Sequence, residues 1–140
     1  ELVVLSGSVP PIIGDGDRLS QVLANLVDNA LKYTPPGGKI TLSAAAEGDW
    51  AILRISDTGP GIPADEQERI FERFYQLDKS RRGGSGRGVG LGLPIAREII
   101  RAHSGSLWVE SSPGQGSVFV IKIPFVLPDD ITLNQKANNA

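Results

Sequence analysis

Asn25-Leu26-Val27-Asp28-Asn29-Ala30-Leu31-Lys32-Tyr33, in the first quarter of a 140-residue chain, carries two periodicities at once. Leu19, Val22, Leu23, Leu26, Val27 and Ala30 recur every three or four residues and predict one buried stripe of a helix. Asn25, Asn29 and Lys32 are spaced four and three apart. At about 100° per residue they share a second stripe bordering the first, with Tyr33 near its edge. Carboxamide oxygens there suit a hard cation such as Mg²⁺, and a lysine one turn later suits phosphate charge. From this helix alone a solvated polar face is the other open reading. Asp15 or Asp17 is placed to cap the helix, and Pro35-Pro36-Gly37-Gly38 ends it.

Outward from this helix the chain alternates between short extended segments and helical patterns. Leu2 to Leu5 and Pro11 to Ile13 read as extended pieces. Ile40, Leu42 and Ala44, then Ala51, Leu53 and Ile55, alternate with polar or small residues and predict a hairpin through Glu47-Gly48-Asp49. Pro63 to Phe71 suits a short helix with proline at its start, and Leu91 to His103 a longer one halted by Ser104-Gly105. Leu107 to Glu110 and Ser117 to Ile123 form a last pair of strands around Ser112-Pro113-Gly114-Gln115-Gly116. Helices interleaved with antiparallel hairpins predict an α+β layer structure. Residues 1–126 are expected to form one domain and the polar residues 127–140 a frayed tail.

Composition narrows the chemistry. With 14 Lys plus Arg against 16 Asp plus Glu, the formal charge of −2 gives no general attraction to nucleic acid or to an anionic membrane. No apolar run approaches the roughly 18 residues needed to span a bilayer, so a soluble segment is expected. Without cysteine there is no disulfide, thiol nucleophile or cysteine zinc site, and the one histidine, His103, excludes a multi-histidine metal site. His103 ends a helical pattern and is expected to pack or cap. The chain has no methionine, even at position 1, so Glu1 is expected to lie inside a longer protein.

Two further stretches carry chemistry. Asp57-Thr58-Gly59-Pro60-Gly61-Ile62 places a carboxylate at a strand end, where it can accept from an exocyclic amine, and puts two glycines where a ligand can approach the backbone. Six of the 17 glycines fall between Gly83 and Gly92, directly before a helical pattern whose N-terminus favours phosphate. Lys79, Arg81, Arg82 and Arg87 stand there against one acid, Asp78. Neither a P-loop signature nor G-x-G-x-x-G occurs.

Together these residues resemble the ATP-binding catalytic domain of sensor histidine kinases, in the superfamily that includes gyrase, Hsp90 and MutL. Asn25 to Tyr33 resembles its N box, Asp57 to Ile62 its G1 box, Ile70-Phe71-Glu72-Arg73-Phe74-Tyr75 its F box and Gly88 to Leu93 its G2 box. The resemblance implies the Bergerat fold, a two-layer α/β sandwich with about three helices on one face of a mixed, mostly antiparallel sheet. It implies ATP and Mg²⁺ as ligands. Asn29 would ligate the metal with support from Asn25, Lys32 would contact phosphate, and Tyr33 would pack beside the adenine or ribose. Asp57 would accept from the adenine amine, with Gly59, Gly61 and Ile62 beside the base. Gly88, Val89, Gly90, Leu91, Gly92 and Leu93 would line the phosphate channel under a closing glycine-rich lid. Asn25, Lys32 and Arg73 are the implied catalytic positions, with Arg82 a lid cation at the phosphate.

The family's acceptor is a histidine on a separate dimerisation domain, whose signature this chain lacks. A response regulator receiver domain takes the phosphoryl group next. The resemblance further implies a cytoplasmic location, where ATP is, and a monomeric fragment. Gln76 stands where many members carry arginine. Asn25 stands where hydrolysing relatives carry a glutamate, and an amide is no general base, which favours transfer over hydrolysis. The alternatives are a degenerate nucleotide-binding or scaffolding module and an ATPase of the gyrase or MutL kind.

Overall fold

The structure is a computed structural model describing residues 1–6, 12, 14–75 and 92–125. Strand β1 (Leu2–Ser6) is followed by helix α1 (Gly16–Tyr33), the hairpin β2 (Ile40–Glu47) and β3 (Trp50–Asp57), helix α2 (Gly92–Ala102), and strands β4 (Ser106–Ser111) and β5 (Ser117–Pro124). The sheet order is β1-β2-β3-β5-β4. β1 runs parallel to β2 and every other neighbouring pair is antiparallel. The sheet is therefore mixed and mostly antiparallel, and β3 is its central strand.

Capping decides where α1 starts. Asp15, not Asp17, is the N-cap: its carboxylate accepts from the backbone N–H groups of Asp17 and Arg18, while Asp17 lies in the first turn near the positive end of the dipole. Val22, Leu26 and Ala30 are buried against Ile55, Ile40 and the inward residues of β5. This is the predicted apolar stripe. α2 packs beside α1 on the same face of the sheet through Ala96, Ile99 and Ile100. The helix is halted at Ser104-Gly105, as expected: Ser104, with a φ of 62°, supplies the left-handed turn, and Gly105 N–H closes on the Ile100 carbonyl at 2.9 Å.

The third helical pattern, Pro63 to Phe71, is not an α-helix. It forms two 3₁₀ turns, Ala64–Glu66 and Arg69–Phe71. Between them Gln67 turns its amide inward, where Nε2 donates to the carbonyls of Ile62 (3.0 Å) and Ser111 (2.8 Å). A segment this short has little intrinsic helix stability, and tertiary hydrogen bonds set its path.

His103 packs and caps, as expected. Asp15 N–H donates to Nε2 at 3.0 Å, so the proton resides on Nδ1, which donates to the Ile99 carbonyl at 2.8 Å. Both ring nitrogens are thereby committed to joining the end of α2 to the cap of α1. The expected extended piece at Pro11 to Ile13 and the tail at 127–140 lie outside the described residues, apart from Ile12.

Candidate functional site

One cleft gathers most of the polar residues singled out above. Asn25, Asn29, Lys32 and Tyr33 line it from α1, Asp57, Gly61 and Ile62 from the end of β3 and the loop after it, and Gly92 and Leu93 from the start of α2. The α1 polar stripe therefore faces a cleft rather than bulk solvent.

At one end of the cleft stands Asp57. It finishes the central strand, between Ile40 of β2 and Ser117 of β5. Its Oδ1 accepts from Gly59 N–H at 2.9 Å. Burial raises the carboxyl above the ordinary aspartate range, and N–H donation from Gly59 and Ser117 opposes that shift. A half-buried acceptor at a strand end is suited to reading a donor on a flat ligand.

The loop carrying Asp57 is braced by backbone contacts and by the Ser111 hydroxyl against the turn that closes the chain's last hairpin. Gly114 N–H donates to the Pro60 carbonyl at 2.7 Å, and Ile62 N–H donates to Ser111 Oγ at 2.8 Å. Ser111 Oγ in turn donates to the Gly116 carbonyl at 2.7 Å. Gly61 and Gly116, with φ of 79° and 74°, meet this turn so closely that a Cβ on either would collide with a backbone carbonyl, of Ser112 and of Asp57 respectively. Gly59 is buried behind Asp57 and is not among the lining residues. The glycines of this loop thus answer first to packing within the protein.

At the other end Asn25 Nδ2 donates to the Gly92 carbonyl at 3.2 Å, tying the first turn of α2 to α1. The Asn29 side chain makes no hydrogen bond with another described residue. Lys32 Nζ lies 5.4 Å from the Tyr33 ring centroid. Among the described residues no three acidic, histidine or cysteine side chains cluster as a metal cage. An unpartnered carboxamide fits a cation that takes one or two protein oxygens and completes its shell with phosphate and water, as Mg²⁺ does.

Several predicted residues fall elsewhere. Arg73 is outside the lining set: its Nη2 pairs with Glu98 Oε1 at 3.1 Å, both side chains 64% exposed. Arg82, Gly88, Val89, Gly90 and Leu91 lie outside the described residues. Residues to which the sequence assigned no site role complete the cleft: Asp28, Pro60, Ile70, Tyr75, Pro94, Ser117 and Phe119. The sequence signal for Tyr75 was its place in the F box. Its hydroxyl hydrogen-bonds the Glu66 carboxylate, which raises the phenol's pKa, and the Arg69 guanidinium lies 4.9 Å from its ring.

Residues 14–127 match the family described as histidine kinase-, DNA gyrase B-, and HSP90-like ATPase. The chain belongs to this ATPase family. Its relatives narrow the type. It is 50% identical over 117 residues to the adaptive-response sensory kinase SasA of Thermosynechococcus vestitus, covering 83% of this chain and 30% of that protein. It is 45% identical over 120 residues to the circadian input-output histidine kinase CikA of Synechococcus elongatus, covering 86% of this chain and 16% of that one. The chain therefore spans less than a third of either relative. Among solved structures it resembles full-length ShkA in complex with AMPPNP (37% identity, TM-score 0.78, 90% of this chain and 26% of that one). It also resembles the mycobacterial sensor histidine kinase MprB (33% identity, TM-score 0.74, 89% and 81%). The ATPase domain is thus of the sensor histidine kinase type, and its sheet-and-helix sandwich is the Bergerat fold. Among the described residues no helix is long and apolar enough to cross a membrane.

Proposed function

We propose that this domain binds Mg²⁺-ATP in the cleft between α1 and Asp57 and transfers the γ-phosphoryl group to a histidine imidazole on a separate dimerisation domain of its parent protein. The observation that carries the reading is the α1 stripe of Asn25, Asn29 and Lys32 on one cleft with the half-buried carboxylate of Asp57. Asp57 accepts from the adenine amine, and Gly59 N–H holds that carboxylate in place. Gly61 and Ile62 lie beside the base, with Tyr33 against the base or ribose. Asn29 gives its carboxamide oxygen to Mg²⁺, which when bound neutralises charge across the phosphates. Lys32 meets phosphate directly.

Asn25 spends its amide N–H on the Gly92 carbonyl and cannot take a proton from water, so its place favours transfer over hydrolysis. In that transfer the phosphorus leaves the β–γ bridging oxygen for a ring nitrogen, and ADP departs. Gly92 and Leu93, with Gly88, Val89, Gly90, Leu91 and Arg82, belong to the phosphate side. A receiver domain of a response regulator then takes the phosphoryl group. The parent acts where ATP is, in the cytoplasm, and this domain alone is monomeric, with residues 127–140 a tail outside the domain.

The deciding experiment is a calorimetric titration of the 140-residue chain with AMPPNP, with and without Mg²⁺. Saturable binding strengthened by Mg²⁺ is expected. A folded chain that fails to bind at millimolar analogue would point instead to the degenerate module. With binding established, phosphohistidine on a dimerisation domain supplied in trans tests the transfer.

A further inference from the structure

Arg97 does not line the cleft, yet its contacts lead to two residues that do. It lies on α2 almost one turn after Pro94, a lining residue, with its side chain 17% exposed. Nη1 lies 2.6 Å from Glu68 Oε1. The guanidinium carbon is 4.6 Å from the centroid of the Phe71 ring. Phe71 in turn meets Phe119 edge to face, with centroids 6.3 Å apart and an interplanar angle of 73°. Phe119 lines the cleft, as does Ile70, the neighbour of Phe71 in the chain. Phe119 is two residues along β5 from Ser117, whose N–H meets the Asp57 carboxylate, so this is the Asp57 end of the cleft.

The geometry accounts for arginine in particular. A planar guanidinium lays its face on a ring while its edge donates to a carboxylate, whereas a lysine ammonium is a point charge without a face to stack. The position also carries a cost. Arg97 Nε is buried without a hydrogen-bond partner among the described residues, a desolvation penalty that an apolar side chain there would not bear. The segment it grips needs an outside tie, because two 3₁₀ turns have little stability of their own. Arg73–Glu98 is a second, more exposed tie between the same two elements.

We propose that Arg97 is a positioning residue of the nucleotide cleft. By holding Glu68 and Phe71 against α2 it sets where Ile70 and Phe119 stand at the base end, without touching phosphate. This rests on the nucleotide reading above.

The test compares adenosine with AMPPNP by calorimetry on the wild-type chain and on Arg97→Met, Arg97→Lys and Glu68→Gln, each checked for a cooperative thermal melt. Arg97→Met should weaken both ligands by the same factor, about tenfold (about 1.4 kcal/mol). Arg97→Lys should recover only part of that loss. Glu68→Gln, at a side chain 77% exposed and so tolerant of change, should weaken both ligands by about threefold. Wild-type affinity for both ligands in folded Arg97→Met or Glu68→Gln would overturn the proposal. A loss confined to AMPPNP would overturn it too, by making Arg97 a phosphate contact. A wild-type chain that binds neither ligand would instead remove the nucleotide reading, and this one with it.

Discussion

The Asp57–Ile62 loop and the Ala64–Tyr75 segment border the same cleft but are fixed by different kinds of atom. The first is locked mostly through the backbone, by Gly114 N–H on the Pro60 carbonyl and by glycines 61 and 116 pressed against neighbouring carbonyls, with Gly59 N–H on Asp57 Oδ1 and Ile62 N–H on Ser111 Oγ as short side-chain ties. The second is held mostly by side chains: Arg97 on Glu68 and Phe71, Arg73 on Glu98, Arg69 over Tyr75, and Gln67 on two carbonyls. A wall pinned by backbone tolerates almost no change at the pinning residue, whereas several side-chain ties share the work and each is separately replaceable. The carboxylate proposed to read the base sits on the rigid wall, where a fixed acceptor loses least entropy on binding.

The largest effect expected from breaking the rigid wall is at its functional tip. Asp57→Ala should lower AMPPNP affinity by about 100-fold or more while the fold survives, since a desolvated charged acceptor is lost from the site. Unchanged affinity in a calorimetric titration would remove Asp57 from the site. Gly61→Ala breaks the same wall at its packing: a Cβ there meets the Ser112 carbonyl at φ of 79°, so chemical denaturation should show a loss of about 2 kcal/mol. A neutral result would mean the loop is less constrained than its contacts require.

Asn29→Ala moves the comparison to α1, where a single side chain is proposed to hold the metal. Mg²⁺-dependent AMPPNP binding should fall about tenfold more than Mg²⁺-free binding. Equal losses would contradict metal ligation.

Asp57→Asn separates charge from shape on the rigid wall. Burial holds the Asp57 carboxyl above its ordinary value of 3.8, so just above that pH the native chain binds more protons than the unfolded one. The contribution of Asp57 to stability therefore falls as pH rises from 3.8 to the raised native value, and is constant beyond it. Asp57→Asn should lack that slope and gain on the wild type between acid and neutral pH. Parallel melting profiles across that range would argue against the raised carboxyl.

The smallest effect belongs to the side-chain wall. Arg73→Ala removes an ion pair whose two members are 64% exposed, and should change stability by about 0.5 kcal/mol or less, with salt screening the difference. A loss of several times that size would show that the two walls are held more alike than their contacts suggest.

Legibility in the sequence follows the same division. The α1 stripes were readable because both repeat at helical spacing within one element, and Asp57 because strand alternation ends on it. Gly61 was readable as a glycine, though the neighbour that demands it, Ser112, lies 51 residues further on. Glu68, Arg97, Phe71 and Phe119 left no local trace of their meeting. They are charged or aromatic residues in unremarkable patterns, brought together only when α2 and β5 pack against the 3₁₀ segment.

The sequence by itself determined the helix and strand periodicities, the hairpin turns, the polar stripe and the run of motif boxes, since each depends on residues a few positions apart. It also determined that no cysteine or multi-histidine chemistry is available. Only the tertiary structure decided that β5 enters the sheet between β3 and β4, and so that Ser117 and Phe119 reach the Asp57 end of the cleft. It also decided that Asp15 rather than Asp17 caps α1, with its own N–H on His103 some 88 residues away. Finally, it decided that Pro63 to Phe71 forgoes an α-helix for 3₁₀ turns. The reason is common to all three: local propensities differ by fractions of a kcal/mol per residue, about the size of one hydrogen bond or ion pair supplied from across the fold.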